Sequence, residues 1–384
     1  MTNQASQSGD TVLLRDAIYL RALEVGRTAA GTSGPNPPVG CVLVRDGDVI
    51  AEGSTEPVGG RHAEVVALEA AGTEARGATA VVTLEPCAHY GRTPPCTDAL
   101  IRAGVSSVHY LVEDPHPSAA GGAHALREAG ISVREVGSQR HALRRLAEDD
   151  LRGFFAAVAF ARPHITLKIA QTVDGVTVPE KGRYLTGNAA RRRVHALRAA
   201  SDAVLVGGNT VREDNPMLDV RHVATHRQPR PVILTTAGDI PEDAFVMREG
   251  GVLLMAPSAA AHGMRFAERG VDVIAVPLEE VADRLDLKAA MATLLDVGIL
   301  TVLAEPGVRL AQSLLDAALI DELEIHIAKG DGVRTIRSCL SGLPNIFDRE
   351  AGSVRHTVTG DGDLVVHQRL SGIFPSDASF KKAA

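Results

Sequence analysis

Residues 39–53, VGCVLVRDGDVIAEG, read as two alternating apolar runs joined by Asp46-Gly47, a dipeptide that tolerates the positive φ angles of a tight hairpin turn, so the pattern predicts a β-hairpin. The period then changes. In HAEVVALEAAG (62–72), Ala63, Val66, Ala67 and Ala70 share one helical face, and Gly72 supplies a low-cost end. ATAVVTL (78–84) predicts a buried strand, PPCTDALIRAG (94–104) a helix with prolines in its first turn, and SSVHYLVED (106–114) another strand.

From Gly137 to Ala161 strand signals give way to charged helical spacing, as in QRHALRRLAEDDLRGFF. The alternation then restarts. RPHITLKIA, DAVLVGG, RPVILTT, GVLLMAP, VDVIAVP, LTVLAEP and DELEIHIA predict strands, and NAARRRVHALRAA, LKAAMATLLDVG and RLAQSLLDAAL predict helices. Strands alternating with helices on both sides of a charged connection argue for two α/β domains. The boundaries fall at 1–147 for the first, 148–161 for the connection, 162–375 for the second and 376–384 for a polar tail.

Composition narrows the function. With 45% hydrophobic and 23% charged residues and no apolar run near the roughly 18 residues that would span a bilayer, a soluble cytoplasmic enzyme is expected, with no membrane partner. A net charge of -7 with no long run of one sign, 3% aromatic residues and no Trp disfavour nucleic acid as the partner and leave a small molecule. Four cysteines cannot frame 384 residues with disulfides, so the close pair Cys87 and Cys96 suggests a metal or catalysis.

His62, at the start of its helix, adds a nitrogen to those two sulfurs, a donor set suited to tetrahedral Zn²⁺ with the fourth position left for water. Zinc lowers the pKa of such a water toward roughly 7, and a nearby carboxylate that is not a ligand can carry its proton; Glu64 is that carboxylate. Both cysteines are expected near helix N-termini, where unpaired amides favour thiolates. A purely structural zinc would need a fourth ligand, for which His89 stands in the loop between the cysteines. Cys41 and Cys339 read as apolar fillers. Asn36 in GPNPPVG is either a turn residue or an amide that reads a pyrimidine edge, and Arg92 and the stretch 113–122 are either surface loops or contacts to a sugar phosphate.

His-any-Glu followed by Pro-Cys and a second Cys resembles the zinc nucleoside and nucleobase deaminases. Eight residues separate the cysteines instead of the usual two, and that loop, with GRTPPC and GPNPPVGC, resembles the bifunctional deaminase/reductase family of riboflavin biosynthesis over nearly the whole chain. The resemblance implies an α/β chain with an N-terminal cytidine-deaminase-like three-layer domain and a C-terminal dihydrofolate-reductase-like domain. It implies two reactions on a pyrimidine ribotide: zinc-dependent hydrolysis of the 2-amino group of 2,5-diamino-6-(5-phosphoribosylamino)pyrimidin-4-one, then NADPH-dependent reduction of the ribosyl chain to 5-amino-6-(5-phosphoribitylamino)uracil. A homo-oligomer is expected.

In the second domain no G-x-G-x-x-G follows a strand, so an ordinary dinucleotide fingerprint is absent. LKIAQTVDG, YLTGNAARRRVHALRAASDAVLVGGNTVREDNPMLDVR and LAEPGVRLAQSLLDAALIDEL resemble the family's reductase half. That resemblance implies Ala170, Tyr184, Thr210, Asp214 and Gly307 for the cofactor and Asn36, Gly182, Arg198, Leu218, Arg221 and Glu305 for the substrate, with Lys168 or Glu305 supporting the ribose hydroxyls. Gly307 after a strand and before a helix is a suitable anion site, and Arg198 with Arg221 suits a phosphate. The chain departs from the family pattern at Thr172, Val176, Gly182, Tyr184, Pro306 and Lys329. Those departures keep open a deaminase with an inactive or repurposed second domain. A zinc-stabilised binding protein without turnover and a deaminase of nucleic acid also stay open.

Overall fold

The computed structural model describes residues 14–370 apart from 92, 117, 118, 120, 181, 183, 249, 281, 282, 330–336 and 342–353. It divides into two units between Leu151 and Arg152. The polar tail lies outside the described residues.

The first unit runs α1 (Asp16–Arg27), β1 (Gly40–Arg45), β2 (Asp48–Ser54), α2 (Ala63–Ala71), β3 (Thr79–Leu84), α3 (Cys96–Ala103), β4 (Ser107–Val112), α4 (Gly122–Glu128) and β5 (Ser132–Glu135). Its strands form one sheet in the order β2-β1-β3-β4-β5, with β1 antiparallel to both β2 and β3 and the β3-β4-β5 ladder parallel. The expected hairpin is present, and Asp46 (φ 53°) and Gly47 (φ 90°) make its turn. α1 carries buried Ile18, Tyr19, Ala22 and Leu23, and its backbone lies against β1: a Cβ on Gly40 would come within 2.0 Å of the Ala22 carbonyl. A single helix, α5 (His141–Phe160), spans the stretch read as a connection.

The second unit contains β6 (His164–Gln171), α6 (Asn188–Ala199), β7 (Ala203–Gly207), α7 (Gly208–Asp214), β8 (Arg230–Thr235), β9 (Val252–Met255), α8 (Ala260–Gly263), β10 (Asp272–Ala275), α9 (Leu287–Asp296), β11 (Thr301–Ala304), α10 (Val308–Asp316), β12 (Glu322–Ile327), β13 (Val354–Val358) and β14 (Leu364–Arg369). The sheet order is β10-β9-β8-β7-β11-β6-β12-β14-β13. It is parallel from β10 to β12, and β14 and β13 add an antiparallel pair. Successive residues of the central strands enter different cores: Ala203 and Leu205 of β7, with Val232 and Leu234 of β8, join one cluster, while Val204, Val206 and Ile233 join another. Both faces are therefore covered, which explains the unbroken apolar runs of these strands.

Candidate metal centre and reductive site

His62 stands in extended backbone immediately before α2, and Cys96 is the first residue of α3. The prolines expected inside the first turn of α3 precede it, with Pro95 at the cap. Cys87 is not at a helix N-terminus as expected; it lies in the segment after β3, and its sulfur accepts the Cys96 backbone N–H at 3.4 Å, which supplies the amide stabilisation by another route. His62 Nδ1 lies 3.2 Å from Cys96 Sγ and 3.7 Å from Cys87 Sγ. Zinc bonded tetrahedrally to one nitrogen and one sulfur sets an N···S separation of about 3.6 Å, between those two values, so the residues fit the metal.

The three donors lie within 4.8 Å of one another and are the one such cluster among the described residues. His89 stays outside it, with a buried Nδ1 that has no hydrogen-bond partner. Three ligands leave one coordination position, the catalytic number. The Cys87 thiol is pulled down to about 4, chiefly by its hydrogen bond with Cys96 and also by His62, against burial; the same Cys96 bond and burial push the Cys96 thiol up. Glu64, the second residue of α2, is only 4% exposed. Burial, and after it the charge of Cys87, raises its carboxyl above the ordinary value, which suits a group that must hold and release a proton.

Glu85, which the sequence motifs do not include, fastens this centre. Its carboxylate accepts the backbone N–H of Ala123 at 2.8 Å and of Asp114 at 3.4 Å, tying the loop after β4 to the peptide that leads into Cys87. The available signal was a carboxylate directly before Pro86-Cys87. At the same junction Gly122 lies on the Pro86 carbonyl so closely that a Cβ there would approach the oxygen to 1.7 Å. Asn36 is half-buried in a turn that Ser33 holds from both sides, with the Asn36 N–H donating to the Ser33 carbonyl and the Ser33 hydroxyl to the Asn36 carbonyl. Arg92 lies outside the described residues, as do 117, 118 and 120 of the 113–122 stretch.

In the second unit, Arg198 of α6 forms a two-pronged bond to Glu305 after β11 at 2.7 and 3.1 Å, with the side chains 13% and 14% exposed. Arg198 also donates to the Asp219 carbonyl at 3.0 Å, and the Arg221 guanidinium lies 3.0 Å from the Asp219 carboxylate. Thus Arg198 links Glu305 to Asp219, and Arg221, distant in sequence from both Arg198 and Glu305, meets the same Asp219. Leu218, beside them, is buried and has a φ of 54°. Burial lowers the Lys168 ammonium pKa, with Glu305 opposing.

A cavity of about 570 Å³ opens at the C-terminal ends of β7 and β8 and beside the start of α10, lined among others by Gly207, Thr210, Arg212, Thr235, Gly307 and Arg309. That is within the size range of small-molecule sites and at the strand ends where open α/β sheets bind ligands. It takes in Thr210 and Gly307. Ala170 in β6, Asp214 at the end of α7, and Tyr184, exposed with the Arg191 guanidinium 4.3 Å from its ring centre, are not in its lining. Among the described residues no side chain caps α10 at Gly307, and helix N-terminal amides of this kind suit an anion such as a nucleotide cofactor's phosphates.

Three departures from the family pattern have local explanations. Pro306 precedes the cap residue, so its missing N–H falls outside the first turn of α10. Gly182 has a φ of 78°, where a side chain would be strained. Lys329 donates its backbone N–H to Asp363 at 3.0 Å, a bond that proline could not make.

Residues 15–112 match the cytidine and deoxycytidylate deaminase zinc-binding region, and residues 163–329 match the RibD C-terminal domain. The chain is 38% identical over 341 residues to the riboflavin biosynthesis protein RibD of Aquifex aeolicus, covering 85% of this chain and 93% of that protein. Against the Escherichia coli protein of the same name the identity is 37% over 355 residues, covering 87% and 94%. Among solved structures, the diaminohydroxyphosphoribosylaminopyrimidine deaminase/5-amino-6-(5-phosphoribosylamino)uracil reductase of Thermotoga maritima is 30% identical with a TM-score of 0.72, covering 93% of this chain and 98% of that one. Acinetobacter baumannii RibD gives the same TM-score at 33% identity, covering 92% and 98%. Among the described residues no helix is long and apolar enough to cross a membrane.

Proposed function

The chain belongs to the RibD family, the zinc-dependent deaminase and NADPH-dependent reductase of riboflavin biosynthesis, and on that premise we propose that Glu64 is the proton carrier of the deamination, with Arg198, Arg221 and Glu305 holding the substrate for the reduction. The first step in this reading hydrolyses the 2-amino group of 2,5-diamino-6-(5-phosphoribosylamino)pyrimidin-4-one. His62, Cys87 and Cys96 hold the zinc, which when bound acidifies water so that a nucleophile is available near neutral pH. Glu64 takes the proton that water loses and delivers it to the departing amine, so ammonia leaves as water's oxygen bonds to the ring carbon. Asn36 reads the pyrimidine edge.

The second step reduces the opened ribosyl chain to the ribityl chain. Gly307 at the start of α10 would receive the phosphates of NADPH, which would supply the hydride, and Thr210 and Asp214 would line the nicotinamide side, with Ala170 and Tyr184 as further cofactor contacts beyond the lining of the cavity. Arg198 and Arg221 face the substrate phosphate, Glu305 accepts from ribose hydroxyls, and Leu218 and Gly182 shape the surrounding loops. Deamination is assigned to 1–147 and reduction to 162–375, joined through 148–161. The enzyme is expected to be cytoplasmic and homo-oligomeric, which cell fractionation and sedimentation test.

The carrying observation is the three-ligand cluster with buried Glu64 beside it. Mass spectrometry of the product formed from the diaminopyrimidinone ribotide with zinc-loaded protein and excess NADPH tests the whole reading. A deaminated and reduced product is expected; a deaminated product that keeps its ribosyl chain would overturn the assignment of the second unit.

A further inference from the structure

The segment 218–221 begins with Leu218 in an unfavourable backbone conformation and is held by side chains from elsewhere in the second unit. Leu218 adopts a φ of 54°, costly for a branched residue and maintained only where neighbours determine the chain's path. Those neighbours bond to three consecutive residues. Gln228 accepts the Val220 N–H at 2.6 Å and donates to the Val220 carbonyl at 3.2 Å, and Arg198 donates to the Asp219 carbonyl at 3.0 Å. His195 accepts the Arg221 N–H on Nδ1 at 3.1 Å.

His195 and Arg198 are three residues apart on α6, so one helical face reaches the segment twice. The His195 ring is buried, 6% exposed, and the His222 ring packs edge-on against it with centroids 4.4 Å apart. Accepting on Nδ1 requires the neutral ring with its proton on Nε2. Burial, then the nearby Arg198, pulls the imidazole down to about 4, which keeps the ring uncharged at neutral pH.

We propose that His195 is a positioning residue of the reductase site: its Nδ1 fixes the Arg221 backbone and thereby aims the Arg221 guanidinium at the substrate phosphate. This rests on the reading of Arg221 as a phosphate contact. A ring that only filled space would need no acceptor at Nδ1, whereas a positioning ring does.

The test uses the full-length enzyme supplied with the deaminated ribotide and NADPH. His195→Phe keeps an aromatic ring without an acceptor, and His195→Asn keeps an acceptor at the δ position without the ring. The Phe variant is expected to raise KM for the ribotide about tenfold, the scale of one buried donor left unpaired, with kcat within about threefold of the parent. The Asn variant is expected to stay near the parent KM. Ribose 5-phosphate, used as a competitive inhibitor, is expected to weaken in step with KM in the Phe variant. Parent-like KM in the Phe variant, or equal impairment of both variants, overturns the positioning role while leaving Arg221 untouched. Arg221→Ala separates the two readings: if it leaves KM unaltered, the phosphate assignment itself fails and the inference with it. His195→Phe combined with Arg221→Ala is expected to be no worse than Arg221→Ala alone, because both remove the same contact.

Discussion

His62 and Glu64 of the first unit come from the cap and the first turn of α2, and Cys87 and Cys96 from a single ten-residue stretch. In the second unit Arg198 lies on α6, Arg221 after α7 and Glu305 after β11, and two of the three are engaged with each other. In the first arrangement buried Glu64 sits beside the ligands without being one of them. The second places the proposed substrate residues Arg198, Arg221 and Glu305 in bonds that also hold the chain together. A substitution of Glu64 should therefore separate activity from stability, and one of Arg198 should not.

The largest expected effect is on the first side of that contrast. Glu64→Gln should lower ammonia release about 10³-fold, the scale of general acid–base catalysis, while zinc per chain by elemental analysis stays the same. If zinc is lost together with activity, Glu64 belongs to the metal site's scaffold and the contrast collapses. Arg198→Ala should raise ribotide KM and also destabilise the second unit by about 3 kcal/mol, because the buried Glu305 carboxylate loses its two-pronged partner and keeps only the Lys168 charge nearby. Reductase loss with an unchanged unfolding midpoint would show that this pair, too, is free of structural duty.

A buried group outside both sites sharpens the point through pH. Burial would raise the Glu324 carboxyl, but its bonds with His326 and Arg193 outweigh that and hold it down to about 2. The folded pKa is below the unfolded value, so the stabilisation is complete above roughly pH 4.3 and disappears as pH falls from there through 2, worth at most about 3 kcal/mol. Denaturant titrations across that window should show the decline, and Glu324→Gln should flatten it. Asp286 caps α9 by accepting the N–H groups of Lys288 and Ala289 at 2.9 and 3.1 Å. Asp286→Ala should cost about 1 kcal/mol by the same titration and leave both kcat values unchanged.

The same contrast governs what the chain reveals before it is folded. The ligand triad was legible because its spacing is short and its chemistry rare in so cysteine-poor a chain. The strands buried on both faces were legible as apolar runs. α1 escaped despite its buried stripe, because no cap signal marks its start: Arg15 at its cap makes no side-chain bond to the helix. The β13–β14 pair escaped because β13 reads VRHTV, its side chains half-buried or exposed, as an edge strand's can be. The Glu305–Arg198–Asp219–Arg221 chain of contacts was invisible to spacing, since sheet order rather than sequence order brings these residues together; the family resemblance named Arg198, Arg221 and Glu305 but not Asp219.

The close seat of Gly122 on the Pro86 carbonyl bears on how the gene tolerates change. Any side chain there displaces the peptide that carries the Cys87 sulfur, so in a saturation library selected for growth without added vitamin, position 122 should be as depleted as the metal ligands. Ranked by fitness alone it would pass for a fourth donor, although it has no donor atom to give.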